Sequence, residues 1–211
     1  MANLKDIRDR IKSVKSIQKV TKAMKMVAAA KMRKAQERME QARPYSDSLS
    51  EIIEHLLPDI NRESLTLLQV REIKRKAYVV VSADRGLAGA FNTNLLKIAQ
   101  REIDEFGREN VDIFCIGKKA RDHFNYRNYN VIDSHIEFWA EMEFENAMMI
   151  GRSVIDHFTS GSVDEIHVVY NYFTNIAQQE VKSETLLPLS FDEGEYTVSG
   201  RLYEPSKEEL V

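Results

Sequence analysis

Residues 4–43 read LKDIRDRIKSVKSIQKVTKAMKMVAAAKMRKAQERMEQAR, without a glycine or a proline. Most positions are Lys, Arg, Met, Ala, Glu or Gln, all of which tolerate helix well. Apolar or small residues fall at Leu4, Ile7, Ile11, Val14, Ile17, Thr21, Met24, Ala28, Met32, Ala35, Met39 and Ala42. Their spacing averages about 3.5 residues, that of a left-handed coiled-coil seam. At ~1.5 Å per residue the helix is roughly 60 Å long. The rest of the chain, if compact, spans only about 40 Å. The expectation is a long N-terminal coiled-coil helix that protrudes from a smaller body. Asn3 is a suitable N-cap, with Asp6 in the first turn facing the positive helix end. Arg43-Pro44 predicts a kink, because the residue before proline avoids the α region. Tyr45, Leu49, Ile52, Ile53, Leu56 and Leu57 then resume helical spacing to about Leu57, and Pro58-Asp59 ends it.

Charge divides the chain in the same place. Residues 1–43 hold thirteen Lys or Arg against Asp6, Asp9, Glu37 and Glu40, a net of +9, while the remainder carries −12. A basic rod suits nucleic acid, an anionic membrane face or an acidic protein surface. A merely solvated helix would explain the charge but not the apolar stripe, which needs a cover. The single cysteine, Cys115, sits within the apolar run Val111–Ile116 as a small hydrophobe, so no disulfide framework forms within one chain. No window approaches 18 uninterrupted apolar residues, and the expectation is a soluble or peripheral protein.

Beyond residues 58–75, a charged and mixed stretch read as a linker, the pattern changes. Continuous or alternating apolar runs at Ala77–Val81, Val111–Gly117, Val131–Ile136, Glu165–Tyr172 and Gln179–Leu186 read as strands. Helical stretches at Phe91–Phe106, Lys118–Tyr126 and Glu143–Phe158 separate the first four. Strand–helix alternation of this kind predicts an α/β body, 76–211, with a Rossmann-like, open and mostly parallel sheet. The last two runs have no helix between them and read as an antiparallel pair at one edge.

The body offers little chemistry. The loop Asp84–Gly89 is a Gly-x-x-Gly turn between strand and helix, where an anion could sit at the helix start. It matches neither dinucleotide nor P-loop spacing. The simpler reading is a structural turn made by Asp84, Arg85, Gly86 and Gly89, with positive φ at Gly86 and close packing at Gly89. His55, His123, His135, His157 and His167 lack metal-ligand spacing. Ser82 and Ser190 lack a nucleophile elbow, and Glu141, Glu143 and Glu145 resemble a solvated helix start. No catalytic group, metal or cofactor is expected.

The run Ile17–Ala35 (IQKVTKAMKMVAAAKMRKA) resembles the N-terminal helix of the gamma subunits of the F-type ATP synthases. Ile7-Arg8-x-Arg10-Ile11, Arg43-Pro44-Tyr45, Ser82-Ala83-Asp84-Arg85-Gly86-Leu87-Ala88-Gly89-Ala90-Phe91-Asn92 and Tyr203-Glu204-Pro205-Ser206 stand where that family has them. The resemblance implies a central-stalk rotor, whose coiled coil rises into a ring of alternating alpha and beta subunits. It implies ring contacts at Lys19, Lys22, Met24, Lys25, Met26, Ala28, Ala29, Lys31 and Met32. It also implies a foot meeting the epsilon subunit and the membrane-embedded c-subunit ring, with Tyr203 among its contacts. Such a subunit is non-catalytic and peripheral, on the cytoplasmic face of the bacterial plasma membrane. The family's second coiled-coil helix would follow Val211, so the stripe from Leu4 to Ala42 is expected to lack its partner within residues 1–211. Two other readings remain at this point. A basic coiled-coil nucleic-acid binder or scaffold would explain the rod, although its first aromatic is Tyr45. A nucleotide-using α/β enzyme would explain the body.

Overall fold

The computed structural model describes residues 3–56, 65–137, 139, 144–175 and 178–190. They fall in two compact units, one carrying the N-terminal helix and the other lying within Ile60–Glu195.

Helix α1 spans Leu4–Leu56, 53 residues, or about 80 Å at ~1.5 Å per residue. Asn3 opens it: its Oδ1 accepts the Lys5 N–H at 3.4 Å and its carbonyl accepts the Ile7 N–H at 3.2 Å. The helix runs on through Pro44, whose ring nitrogen has no hydrogen to give the Glu40 carbonyl. The expected end at Leu57 lies just outside the described residues.

The second unit is a three-layer α/β structure. In chain order come β1 (Lys76–Val81), α2 (Phe91–Phe106), β2 (Val111–Ile116), α3 (Lys118–Tyr126), β3 (Val131–His135), α4 (Phe144–Thr159), β4 (Glu165–Phe173) and β5 (Gln179–Leu187). The strands lie in the order β3-β2-β1-β4-β5. β1 is parallel to both β2 and β4, and β2 is parallel to β3. β5 runs antiparallel to β4 at the edge, as the missing helix between them predicts. Every residue of β2 is buried, which is why its sequence is continuous rather than alternating. Alternation shows instead in which layer each side chain joins. Tyr78 and Val80 pack with Leu95, Ala99 and Ile103 of α2 and Phe124 of α3. Ala77 and Val79 face the other way, onto Val154 and Phe158 of α4. Cys115 is fully enclosed in β2, and burial pushes its thiol up to about 12, leaving it protonated and inert.

Part of the stretch read as a linker is held by this unit. Thr66–Leu68 forms a 3-10 turn with Leu68 buried. Arg71 donates to the Phe158 carbonyl at 3.2 Å and lies over its ring. The Lys74 and Arg75 N–H groups both donate to Asp164 Oδ2.

At the starts of β1 and β4, Lys76 Nζ meets Glu165 Oε1 at 2.6 Å and His167 bonds the same oxygen. Burial pushes the Glu165 carboxyl up, but hydrogen bonds and charge from Lys76 and His167 outweigh it and hold it below its ordinary 4.5. A carboxyl lowered in the folded state stabilises above its unfolded value, and that contribution is lost as pH falls through the folded one. We therefore expect urea midpoints taken between about pH 6 and pH 3 to fall with acid, and Glu165→Gln to flatten that slope. An unchanged slope in the variant would contradict this assignment.

Candidate functional site

Two regions carry the residues singled out in the sequence. The first is the surface of α1. Every residue from Asn3 to Ala35 is exposed, including Lys19, Lys22, Lys25, Ala28, Ala29 and Lys31. Met24 and Met26 are each 67% exposed, Val27 56% and Met32 43%. Met24, Ala28 and Met32 follow one another at four-residue steps and share a face; Lys15, Lys19 and Lys22 line another. The stripe from Leu4 to Ala42 is exposed throughout except for Met39, which is half-buried. Local bonds stiffen the helix without covering it: Arg33 pairs with Glu37 at 2.9 Å, and Gln36 donates to Glu40 at 3.0 Å. Exposed pairs of this kind contribute only ~0.3–0.5 kcal/mol each.

The second region is the loop after β1. Asp84 ties three loops together: Oδ1 accepts the Lys118 N–H at 2.8 Å and Oδ2 the Glu137 N–H at 2.9 Å. Ser82 Oγ accepts the Ala120 N–H at 2.8 Å, and the Ala83 carbonyl accepts the Lys119 N–H at 3.1 Å. The first-turn donors Lys118, Lys119 and Ala120 of α3 are thus satisfied by the chain itself, which removes the usual attraction of a helix start for an anion. Asn92 clamps the loop from α2, accepting the Ala83 N–H at 3.0 Å and donating to the Arg85 carbonyl at 3.4 Å. Arg85 itself is exposed.

Two expectations about this turn are corrected. Gly89 is not closely packed, since an added Cβ there would have nothing within 4 Å. Gly86 does not take the left-handed conformation; Leu87, with φ 60°, and Gly89, with φ 55°, do. Gly86 instead lies beside the Lys119 side chain, where a Cβ would stand 3.6 Å from Cε. A leucine at such a φ is disfavoured by roughly 1–2 kcal/mol.

Sequence reasoning passed over the most buried charge among the described residues of the sheet unit. Asp112 is the second residue of β2, with its side chain 6% exposed. Its Oδ1 accepts from Arg75 at 2.8 Å and Asn130 at 2.7 Å, and its Oδ2 contacts His157 Nε2 at 2.8 Å. An isolated aspartate inside an apolar run was its only signal. The other histidines also have partners: His123 bonds Gln100, His135 bonds Asp133 and His167 bonds Glu165. The side chain of His55 lies outside the described residues, as do Glu141, Glu143 and Tyr203. Among the described residues no group of three or more His, Cys, Asp or Glu could hold a metal ion. A hollow of about 1040 Å³ between β3 and α4 is lined by Asp133, Ser153, Asp156 and His157. There the Ser153 hydroxyl donates to Asp133 at 3.1 Å rather than to an imidazole.

Residues 3–211 match the family described as ATP synthase. The ATP synthase gamma chain of Flavobacterium psychrophilum is 40% identical over 214 residues, covering all of this chain and 74% of that one. That of Desulforamulus reducens is 40% identical over 213 residues, covering all of this chain and 75% of its own. Among solved structures, the central stalk and c-ring of the Tetrahymena thermophila mitochondrial ATP synthase aligns with TM-score 0.69 at 22% identity, over 90% of this chain and 83% of that one. The rotor of the Euglena gracilis mitochondrial enzyme aligns with TM-score 0.59 at 22% identity, over 96% and 73%. At that identity the structures speak for the fold.

Proposed function

The chain belongs to the ATP synthase gamma-chain family, and from that premise we propose that it is the central-stalk rotor of a proton-translocating ATP synthase. By turning, it couples proton flow through the membrane ring to ATP synthesis or hydrolysis in the alpha/beta ring. It is a non-catalytic subunit: the chemistry belongs to the ring, and this chain transmits torque.

The observation that carries the reading is the α1 surface from Lys19 to Met32, where flexible methionines, small alanines and lysines stand exposed side by side. A shaft in a bearing must touch without sticking. Methionine and alanine give an adaptable surface without deep knobs. Exposed lysine contacts with acidic partner segments contribute ~0.2–1 kcal/mol each and are screened by salt, so they exchange as the shaft turns. We assign the ring contact to Lys19, Lys22, Met24, Lys25, Met26, Ala28, Ala29, Lys31 and Met32. The stripe of the same helix, residues 1–57, is the seam of a coiled coil. Residues 58–75 join it to the foot, 76–211. The foot meets the epsilon subunit and the c-subunit ring, with Tyr203 among its contacts. Association with the cytoplasmic face of the bacterial plasma membrane comes through the complex. Among the described residues no helix is long and apolar enough to cross a membrane. Neither nucleic acid nor a cofactor has a part in this function.

Met24→Lys tests the assignment in the assembled complex. It puts a longer, charged side chain where the assigned bearing surface has an uncharged one, 67% exposed, changing both the shape and the charge of that contact. ATP hydrolysis should persist while hydrolysis-driven proton pumping falls several-fold. Unchanged pumping per ATP hydrolysed would remove Met24 from the coupling surface.

A further inference from the structure

The hollow between β3 and α4 is shaped by a slip in the sheet. Val131 pairs with Ile113 and Asp133 with Phe114, so Ile132 is an extra residue in β3. Alternation breaks there, and the Ile132 and Asp133 side chains both line the hollow instead of parting to opposite faces. From α4 come Phe144, Met148 and Met149, which line it while remaining exposed, Phe144 at 66% and Met149 at 54%. With the exposed Ile132 they make an apolar patch that the sheet unit leaves open to solvent. Two neighbouring methionines let such a patch adapt its shape to what it meets. The hollow holds about 1040 Å³, and the 16 residues of α4 run about 24 Å beside it. That length accommodates about four turns of a second helix.

Charge names the chemistry of the occupant. Residues 131–160 hold six carboxylates, at Asp133, Glu137, Glu141, Glu143, Glu145 and Asp156, against the single cation Arg152, a net of −5. Nucleic acid and anionic lipid are repelled by such a stretch. In the hollow itself Asp133 is already engaged by Ser153 and His135. Glu145 and Asp156 line it too and stand exposed. We propose that the hollow docks a basic amphipathic helix of a protein partner. Its apolar side chains seat on Ile132, Phe144, Met148 and Met149, and its lysines or arginines meet Glu145 and Asp156. None of these residues is among those assigned to the alpha/beta ring, so the inference adds a partner to the rotor reading and does not depend on it.

The test uses the full chain and two synthetic probes: a helical leucine–lysine peptide with its leucines on one face, and a polylysine of equal length. Titration is combined with peroxide oxidation of the methionines, for wild type, Met149→Ser and Asp156→Lys. The amphipathic peptide should bind wild type and protect Met148 and Met149, while Met24 and Met26, each 67% exposed on α1, stay reactive. Polylysine, with no apolar face, should bind far more weakly. Met149→Ser should weaken binding of the peptide about tenfold, and Asp156→Lys about fivefold in low salt. Both side chains are exposed, so the melting temperature of the free chain should hold; Met148→Ser takes the place of Met149→Ser if that variant melts lower. Failure of the peptide to bind, protection that falls on Met24 and Met26 instead, or polylysine binding as tightly overturns the proposal. So does binding within about twofold of wild type by both variants. Each of these results leaves the rotor reading standing.

Discussion

Gly117→Ala should destabilise the sheet unit by about 3–5 kcal/mol, combining a left-handed backbone with an overlap that has no room to relax. Gly117 joins β2 to α3 with φ 98°, and a Cβ there would lie 2.1 Å from the Ser82 carbonyl oxygen. That oxygen cannot step aside freely. The Ser82 N–H donates to the Ile116 carbonyl at 2.7 Å, and Ser82 Oγ holds the start of α3. The Gly117 N–H is committed as well, to the His135 carbonyl at 2.7 Å. Gly89→Ala is the control. Its φ of 55° is similarly left-handed, but nothing lies within 4 Å of the added carbon, so the cost should stay near 1 kcal/mol. Urea unfolding of both variants measures the difference. A Gly117→Ala cost no larger than that of Gly89→Ala would mean that β1 and β2 do not end against each other in this way.

Asp112→Ala should cost about 3–5 kcal/mol, the usual penalty for removing one member of a buried charged cluster. The variant leaves the Arg75, Asn130 and His157 groups facing a cavity that held four acceptor lone pairs. Arg75 is 41% exposed and can partly turn to water, which favours the lower end of that range. Because the cluster joins the segment before β1, the start of β2, the turn before β3 and the end of α4, the loss should appear as one cooperative shift in the urea midpoint. A double-mutant cycle with His157→Ala should be clearly less than additive. Full additivity would show that the two side chains contribute separately.

These two sites mark where the sequence was readable and where it was not. The strands and helices of the sheet unit are legible because each buries a continuous apolar run or one face of a helix. The hydrophobic period therefore reports them directly: β1, α2, α3 and β4 lie within a residue or two of where their patterns place them. The antiparallel edge was legible from the shortness of the β4–β5 connection. What composition could not carry was the wiring at the strand ends. Asp112 finds Arg75, Asn130 and His157 only because β2 lies beside β1 and under α4, and no spacing in the chain encodes that meeting. The turn after β1 went astray for a related reason. Glycine suggests positive φ, but Asp84 and Asn92 hold the backbone so that Leu87 takes that conformation. On α1 the helix and its stripe were legible from residue spacing; the family resemblance supplied the residues assigned to the ring.

The rotor claim is tested most directly by attaching a visible probe to the foot of this chain, fixing the alpha/beta ring to a surface and supplying ATP. Sustained turning of the probe in one direction, stopping when ATP is removed, is the result the account predicts. A probe that stays bound to a ring actively hydrolysing ATP, yet only fluctuates about one angle, would contradict it.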